Sequence, residues 1–247
     1  MLAHRYLVFF LSFIILFVIH GDMTAQRYES HSAWLSIDST KNLYIFKPHF
    51  KTIDIECGVC PDTLDMSIIF CGAAAFTGAC LDTFCHSNIA GNHVSHGCCY
   101  EGYSCKVNQG GFIYYEDGHW QFFDTLTYNQ EIHNPKVVSA YQQGALIMED
   151  TVCQPYLMKA TRAEIYRSLC ETRDGELCVV MPKEKMEFAN FVTSLRNEIH
   201  AQYALYMDMG TGWNYSWYLG KDETEHVIFP PAKMTPYQTN WIVFRRE

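Results

Sequence analysis

Beyond residue 25 the chain is built mainly from short runs of alternating apolar and polar residues, each closed by a turn. Trp34-Leu-Ser-Ile-Asp38 and Leu43-Tyr-Ile-Phe46 flank a polar Ser-Thr-Lys-Asn segment, which predicts a β-hairpin with Leu35 and Ile37 on one face and Leu43 and Ile45 on another. Phe112-Ile-Tyr-Tyr115 and Trp120-Gln-Phe-Phe123 bracket Asp117-Gly118, a second hairpin signal, because Asp-Gly tolerates the positive φ of a tight turn. Between the hairpins, Cys57 to Cys105 is rich in Cys, Gly and His with little periodicity, and reads as loops around a short apolar piece, Met66 to Phe76. From Val137 onward the pattern is cleaner. Val137–Met148 predicts a strand interrupted by Gly144, and Ile165–Cys170 and Leu177–Met181 predict strands joined across Arg173-Asp-Gly-Glu176. Pro182 stands where a helix can begin. Phe188, Phe191, Val192, Leu195 and Ile199 then fall on one helical face. Tyr203–Asp208, a run ending at Ile228 before Pro230-Pro231, and Trp241–Phe244 predict the last strands. No internal repeat or low-complexity linker intervenes, so one α+β domain over residues 26–247 is the economical expectation.

The first 25 residues follow a different pattern. Arg5 precedes an apolar run, Tyr6 to Ile19, broken only by Ser12, and Ala25 is a small residue at a cleavage point. This predicts a signal peptide over 1–25, too short to span a bilayer comfortably. No later stretch approaches the roughly 18 apolar residues of a span. The expectation is a secreted or periplasmic protein with no stable membrane span after cleavage. Net charge is −9 with no run of Lys or Arg, which argues against nucleic-acid partners, whose phosphates require a concentrated basic face. An aromatic content of 15% suits a β-rich core or a surface that stacks on sugar rings.

Eight of the 11 cysteines fall between Cys57 and Cys105, and in an exported chain that density reads first as disulfides, the odd total leaving at least one thiol unpaired in a monomer. The same segment offers Cys57, Cys60, Cys80, Cys85, His86, His93, His96, Cys98 and Cys99 as zinc ligands. No second Cys-x-x-Cys lies at zinc-ribbon spacing, so disulfides are preferred and neither metal nor cofactor is expected. Cys57-Gly-Val-Cys60 also resembles the redox pair of thioredoxin-like proteins, with Ile53–Ile55 as the preceding strand. Pro61-Asp-Thr-Leu-Asp is a poor opening for the helix such a site requires.

Four elements of the later chain carry a family resemblance. They are Ala140-Tyr-Gln-Gln-Gly-Ala-Leu146, Arg167-Ser168-Leu169, Asp174-Gly175-Glu-Leu177 and, after the helix, Tyr206-Met-Asp208-Met-Gly210-Thr-Gly212. In that order they resemble the phosphodiester glycosidase family. Gln143 stands at the family's hydroxyl position and Ala145 at its proline. Gly72-Ala-Ala-Ala-Phe76 occupies the place of an early Asn-Gly-Gly-Phe element and lacks the asparagine. The resemblance covers residues 65–244. It implies mixed β-sheets packed together with helices on the outer faces, and hydrolysis of a glycosyl-phosphodiester bond, with a carbohydrate or glycosyl phosphate as partner.

On that reading Arg167 would hold the phosphate through two parallel hydrogen bonds, and Asp208, at a strand end before a glycine turn, would work at the sugar. His93 or His96 could supply an imidazole for proton transfer. Asn92, Gln142, Ser168 and Gly210 would contact substrate. The plainer alternatives are a surface ion pair for Arg167, a turn cap for Asp208 and solvated loop histidines. Glu149 and Asp150 read as a turn. Two rival functions stand beside the hydrolase: a non-catalytic relative binding a glycan or envelope component, and a periplasmic thiol–disulfide protein using Cys57 and Cys60.

Overall fold

The computed structural model describes residues 28, 32–104, 109–153, 161–210 and 212–247; the expected signal peptide over 1–25 and Cys105 lie outside them. The strands are β1 (Leu35–Ser39), β2 (Leu43–Pro48), β3 (Thr52–Cys57), β4 (Ile68–Ala73), β5 (His93–Ser95), β6 (Cys98–Tyr100), β7 (Gln109–Tyr115) and β8 (Trp120–Asp124). After helix α1 (Thr125–Glu131) come β9 (Val137–Met148), β10 (Thr151–Val152), β11 (Ser168–Thr172) and β12 (Leu177–Pro182). Helix α2 (Phe188–Glu198) precedes β13 (Ala201–Tyr206), β14 (Ser216–Leu219), β15 (Glu225–Phe229) and β16 (Asn240–Arg245).

These strands form two sheets. The larger runs β1-β2-β12-β11-β13-β9-β5-β6, with β7 and β10 also on β9 and β8 on β7; the smaller runs β15-β14-β4-β16-β3. Strand outweighs helix 45% to 12%. The pairings between named strands are all antiparallel. This corrects the expected α+β class with mixed sheets and helices on the outer faces. The molecule is an antiparallel β-sandwich, and its two short helices pack on the larger sheet. The physical reason is that the sheets cover each other. Leu35, Phe46, Phe112, Leu169, Val179 and Leu205 of one meet Ile53, Ile55, Phe70, Ile242 and Phe244 of the other in one core. Little apolar sheet surface is left for helices to cover.

Strand alternation sorts residues between layers. In β2, Tyr44 and Phe46 enter the inter-sheet core, whereas Leu43 and Ile45 meet Phe188, Phe191, Val192 and Leu195 of α2. Helix α2 buries the predicted face but begins at Phe188, six residues after Pro182. Pro182 stays in β12 opposite Leu43, and Met186 bridges to Glu164 before the helix starts. Both predicted hairpins form, with Ile37 opposite Phe46 and Phe112 opposite Phe122.

The Cys-rich segment is more ordered than a set of loops. Its apolar piece is β4, a central strand of the smaller sheet buried along its whole length. The expected disulfides are a second correction: no disulfide joins two described cysteines. Cys71, Cys170 and Cys178 are instead buried as small apolar residues within strands. No helix among the described residues is long and apolar enough to cross a membrane.

Candidate functional site

Where β4 leaves the smaller sheet, it runs between the two residues singled out by the family pattern. Arg167, just before β11, is fully buried, and its Nη2 donates to Ala73 O at 3.4 Å and to Asp208 O at 3.0 Å. The Asp208 backbone N–H donates to Ala74 O at 2.9 Å. Its carboxylate accepts from Gly210 N at 2.9 Å and Thr77 N at 3.4 Å. Asn240 completes the frame by pairing with Ala75 through both ends of its amide, at 2.7 and 3.0 Å. The structure therefore joins Arg167, Asp208 and the Gly72–Phe76 segment into one unit at the ends of β4, β11 and β13.

Burial dominates the electrostatics of this unit. Desolvation pushes Asp208 up from 3.8 to about 6, against the Gly210 and Thr77 N–H groups and the Arg167 charge, which favour the carboxylate. Desolvation brings Arg167 down to about 10, so it remains a cation at neutral pH, opposed by the negative charge of Asp208. No described ion pair links the two side chains. Arg167 Nε and Nη1 and Tyr141 Oη have no hydrogen-bond partner. A fully buried guanidinium with two unmade donors is costly, and such cost concentrates at functional sites. With no exposed surface, this guanidinium cannot hold a phosphate in the arrangement shown.

The other expected residues lie elsewhere. Gln142 points to the opposite face of β9 from Tyr141, where its amide accepts from Asn92 N at 2.9 Å and donates to Asn129 at 3.2 Å. Asn92 also donates to Asn129, and Tyr128 donates to Asn92 O. Gln142 and Asn92 are thus brought together with each other, under α1, and not with Arg167. Ser168 is buried within its sheet and donates to Leu205 O at 2.7 Å. Gly210 is exposed and caps the Asp208 carboxylate through its N–H. His96 sits at the exposed tip of the β5–β6 hairpin, paired with Glu56 at 3.1 Å. A cleft of about 640 Å³ beside α2, lined by Lys41, Lys183, Met186 and Asn190, contains none of these residues.

His93 belongs to a separate cluster. It is fully buried, and its Nε2 lies 3.0 Å from His86 Nδ1. Burial pushes it down to about 4, so it is neutral at physiological pH and cannot act as a general acid there. The Cys57 sulfur shares this corner, and the three ligand atoms lie within 4.8 Å of one another. Chain spacing did not reveal this grouping, because β3 and β5 bring together Cys57 and His93, 36 positions apart. The thioredoxin reading fails on two counts: a strand, not a helix, follows Cys60, and burial raises Cys57 to about 12 and Cys60 to about 11. A thiol raised so far is not a nucleophile at neutral pH.

No protein-family model matches this sequence, and no curated protein matches it. Among solved structures, the zebrafish N-acetylglucosamine-1-phosphodiester α-N-acetylglucosaminidase catalytic domain, auto-inhibited by its pro-peptide, is similar with a TM-score of 0.60 and 11% identity, over 90% of this chain and 85% of that one. A hypothetical protein from Synechocystis gives a TM-score of 0.44 at 8% identity, over 86% of this chain and 61% of that one. The first similarity shows a shared fold across nearly the whole chain.

Proposed function

We propose that this chain is an exported hydrolase of a glycosyl-phosphodiester bond, with Asp208 as its catalytic carboxylate. The observation that carries the reading is Asp208 itself: a buried carboxyl with a pKa of about 6, fixed at a strand end beside a buried arginine. A carboxyl that ionises just below neutral pH can exchange a proton or present negative charge to a cationic sugar within the working range of an enzyme. Arg167 is a positioning residue here. It clamps the main chain on either side of the carboxylate and favours its charged form. A phosphate leaving group departs readily, so the demand for a second, acid carboxyl is low. The shared fold with an N-acetylglucosamine-1-phosphodiester α-N-acetylglucosaminidase catalytic domain supports that substrate class as the first to try.

A specific observation favours a second reading, a glycan-binding module of the same fold. Asp208 is only 3% exposed and Arg167 not at all, so neither offers substrate an open surface. Purified protein incubated with N-acetylglucosaminyl phosphodiesters and with matched phosphate-free glycosides separates the two. The hydrolase releases sugar from the phosphodiesters alone. Sugar binding without release, across a broad panel, would establish the binding module. Export is tested separately by mass spectrometry of the mature N-terminus, expected near residue 26; a chain retaining Tyr6–Ile19 contradicts it.

A further inference from the structure

We propose that Cys57 Sγ, His86 Nδ1 and His93 Nε2 form a zinc site with three protein ligands and a fourth position open to water. A thiolate with two imidazoles is a donor set that zinc accepts in tetrahedral geometry. Two nitrogens bound to one zinc at about 2.0–2.1 Å stand about 3.4 Å apart at the tetrahedral angle. The observed 3.0 Å between His86 Nδ1 and His93 Nε2 is a few tenths short of that. The sulfur lies within 4.8 Å of both, and closing to a zinc–sulfur bond of about 2.3 Å requires a shift on the order of 1 Å.

The surroundings already orient these ligands. His93 Nδ1 faces Gly91 O at 3.3 Å, and since a carbonyl can only accept, that nitrogen carries the proton and Nε2 keeps its lone pair. The His86 ring stacks on Tyr100 at 3.4 Å with 4° between planes, and Phe84 meets it edge-on. The Ser95 hydroxyl hydrogen-bonds the Cys57 sulfur and favours the thiolate. Binding would release the thiol proton, and neutral His86 would move its ring proton from Nδ1 to Nε2 so that Nδ1 can ligate. Cys57 ends β3 and His93 opens β5, so two ligands sit on sheet strands and the third on the intervening turn. The metal would tie that turn to the smaller sheet. Its position reaches the Asp208 unit through Gly58 N to Thr239 O, the Thr239–Thr77 hydroxyl contact at 3.0 Å, and Thr77 N to the carboxylate.

The test is a cobalt titration of the metal-free chain in a phosphine reductant, independent of any sugar chemistry. One equivalent of Co²⁺ should produce a sulfur-to-metal charge-transfer band that zinc abolishes by displacement. Cys57→Ser should lose the band, and His86→Gln and His93→Gln should each weaken binding more than about 100-fold, beyond the cost of losing an outer partner. His96→Gln and Cys60→Ser should bind as the wild type does. No charge-transfer band in the wild type, or a band that survives in Cys57→Ser, would overturn the site. Should Cys57→Ser not fold, X-ray absorption of the zinc-loaded wild type decides. One sulfur and two imidazole nitrogens at the metal are expected; zinc bound with no sulfur ligand refutes the proposal.

Discussion

Asp208 sits where two opposing effects meet: burial disfavours its charge, while Gly210 N–H, Thr77 N–H and Arg167 favour it, and burial wins. The consequence for stability has a definite sign. The folded carboxyl holds its proton more tightly than the unfolded one, so its contribution is fully present below about pH 4 and is lost as pH rises through about 6. Asp208→Asn removes this titration. Urea unfolding at pH 4 and pH 7.5 should show wild type losing about 2–3 kcal/mol relative to the variant over that interval. A pH-independent difference would mean that Asp208 titrates normally. At this scale the sequence was informative in part. Arg167 and Asp208 were legible as a pair through their order among motifs, and the structure places them side by side. Gln142, Asn92, His93 and His96 were not legible as to grouping, because a residue's partners depend on which strand face it occupies, and neighbours in sequence face opposite ways.

Elements with strong local periodicity could be read directly, and elements held by tertiary contacts could not. Helix α2 shows its buried face as Phe188, Phe191, Val192 and Leu195. Helix α1 buries only Tyr128, so its sequence carries no apolar repeat; its start is marked by Asp124, whose carboxylate accepts from Leu126 N and Thr127 N. Asp124→Ala should cost about 1 kcal/mol in urea unfolding, the usual loss of a helix N-cap. What seats α1 is a missing side chain. A β-carbon on Gly111 of β7 would lie 1.8 Å from Tyr128 Cδ2. Gly111→Ala should therefore destabilise by at least about 1–3 kcal/mol, as overpacked cores do. A double variant that also carries Tyr128→Leu should recover part of that loss; equal stability of Gly111→Ala and wild type would contradict this packing. Strands β5, β6 and β14 are three or four residues long and were hidden for a related reason, since pairing with neighbouring strands, not their own pattern, makes them strands.

At the scale of the whole molecule, most of the longer strands outside Cys57–Cys105 were legible, while the short strands and the arrangement of all of them were not. Apolar runs such as Met66–Phe76 do not reveal which sheet will bury them, and that run became the centre of the smaller sheet. Sheet-on-sheet burial then placed the Gly72–Phe76 exit, Arg167 and Asp208 together at the ends of the central strands β4, β11 and β13, the arrangement on which the proposed chemistry rests. The pH dependence of kcat/KM for a glycosyl phosphodiester, in wild type and Asp208→Asn, tests that proposal most directly. The account predicts a single ionisation at about pH 6 in the wild type, assigned to Asp208. It predicts a folded Asp208→Asn protein whose rate is at least about 100-fold lower at neutral pH, as expected when a preorganised charge is removed. Turnover that persists undiminished in Asp208→Asn, with the same pH profile, would contradict it.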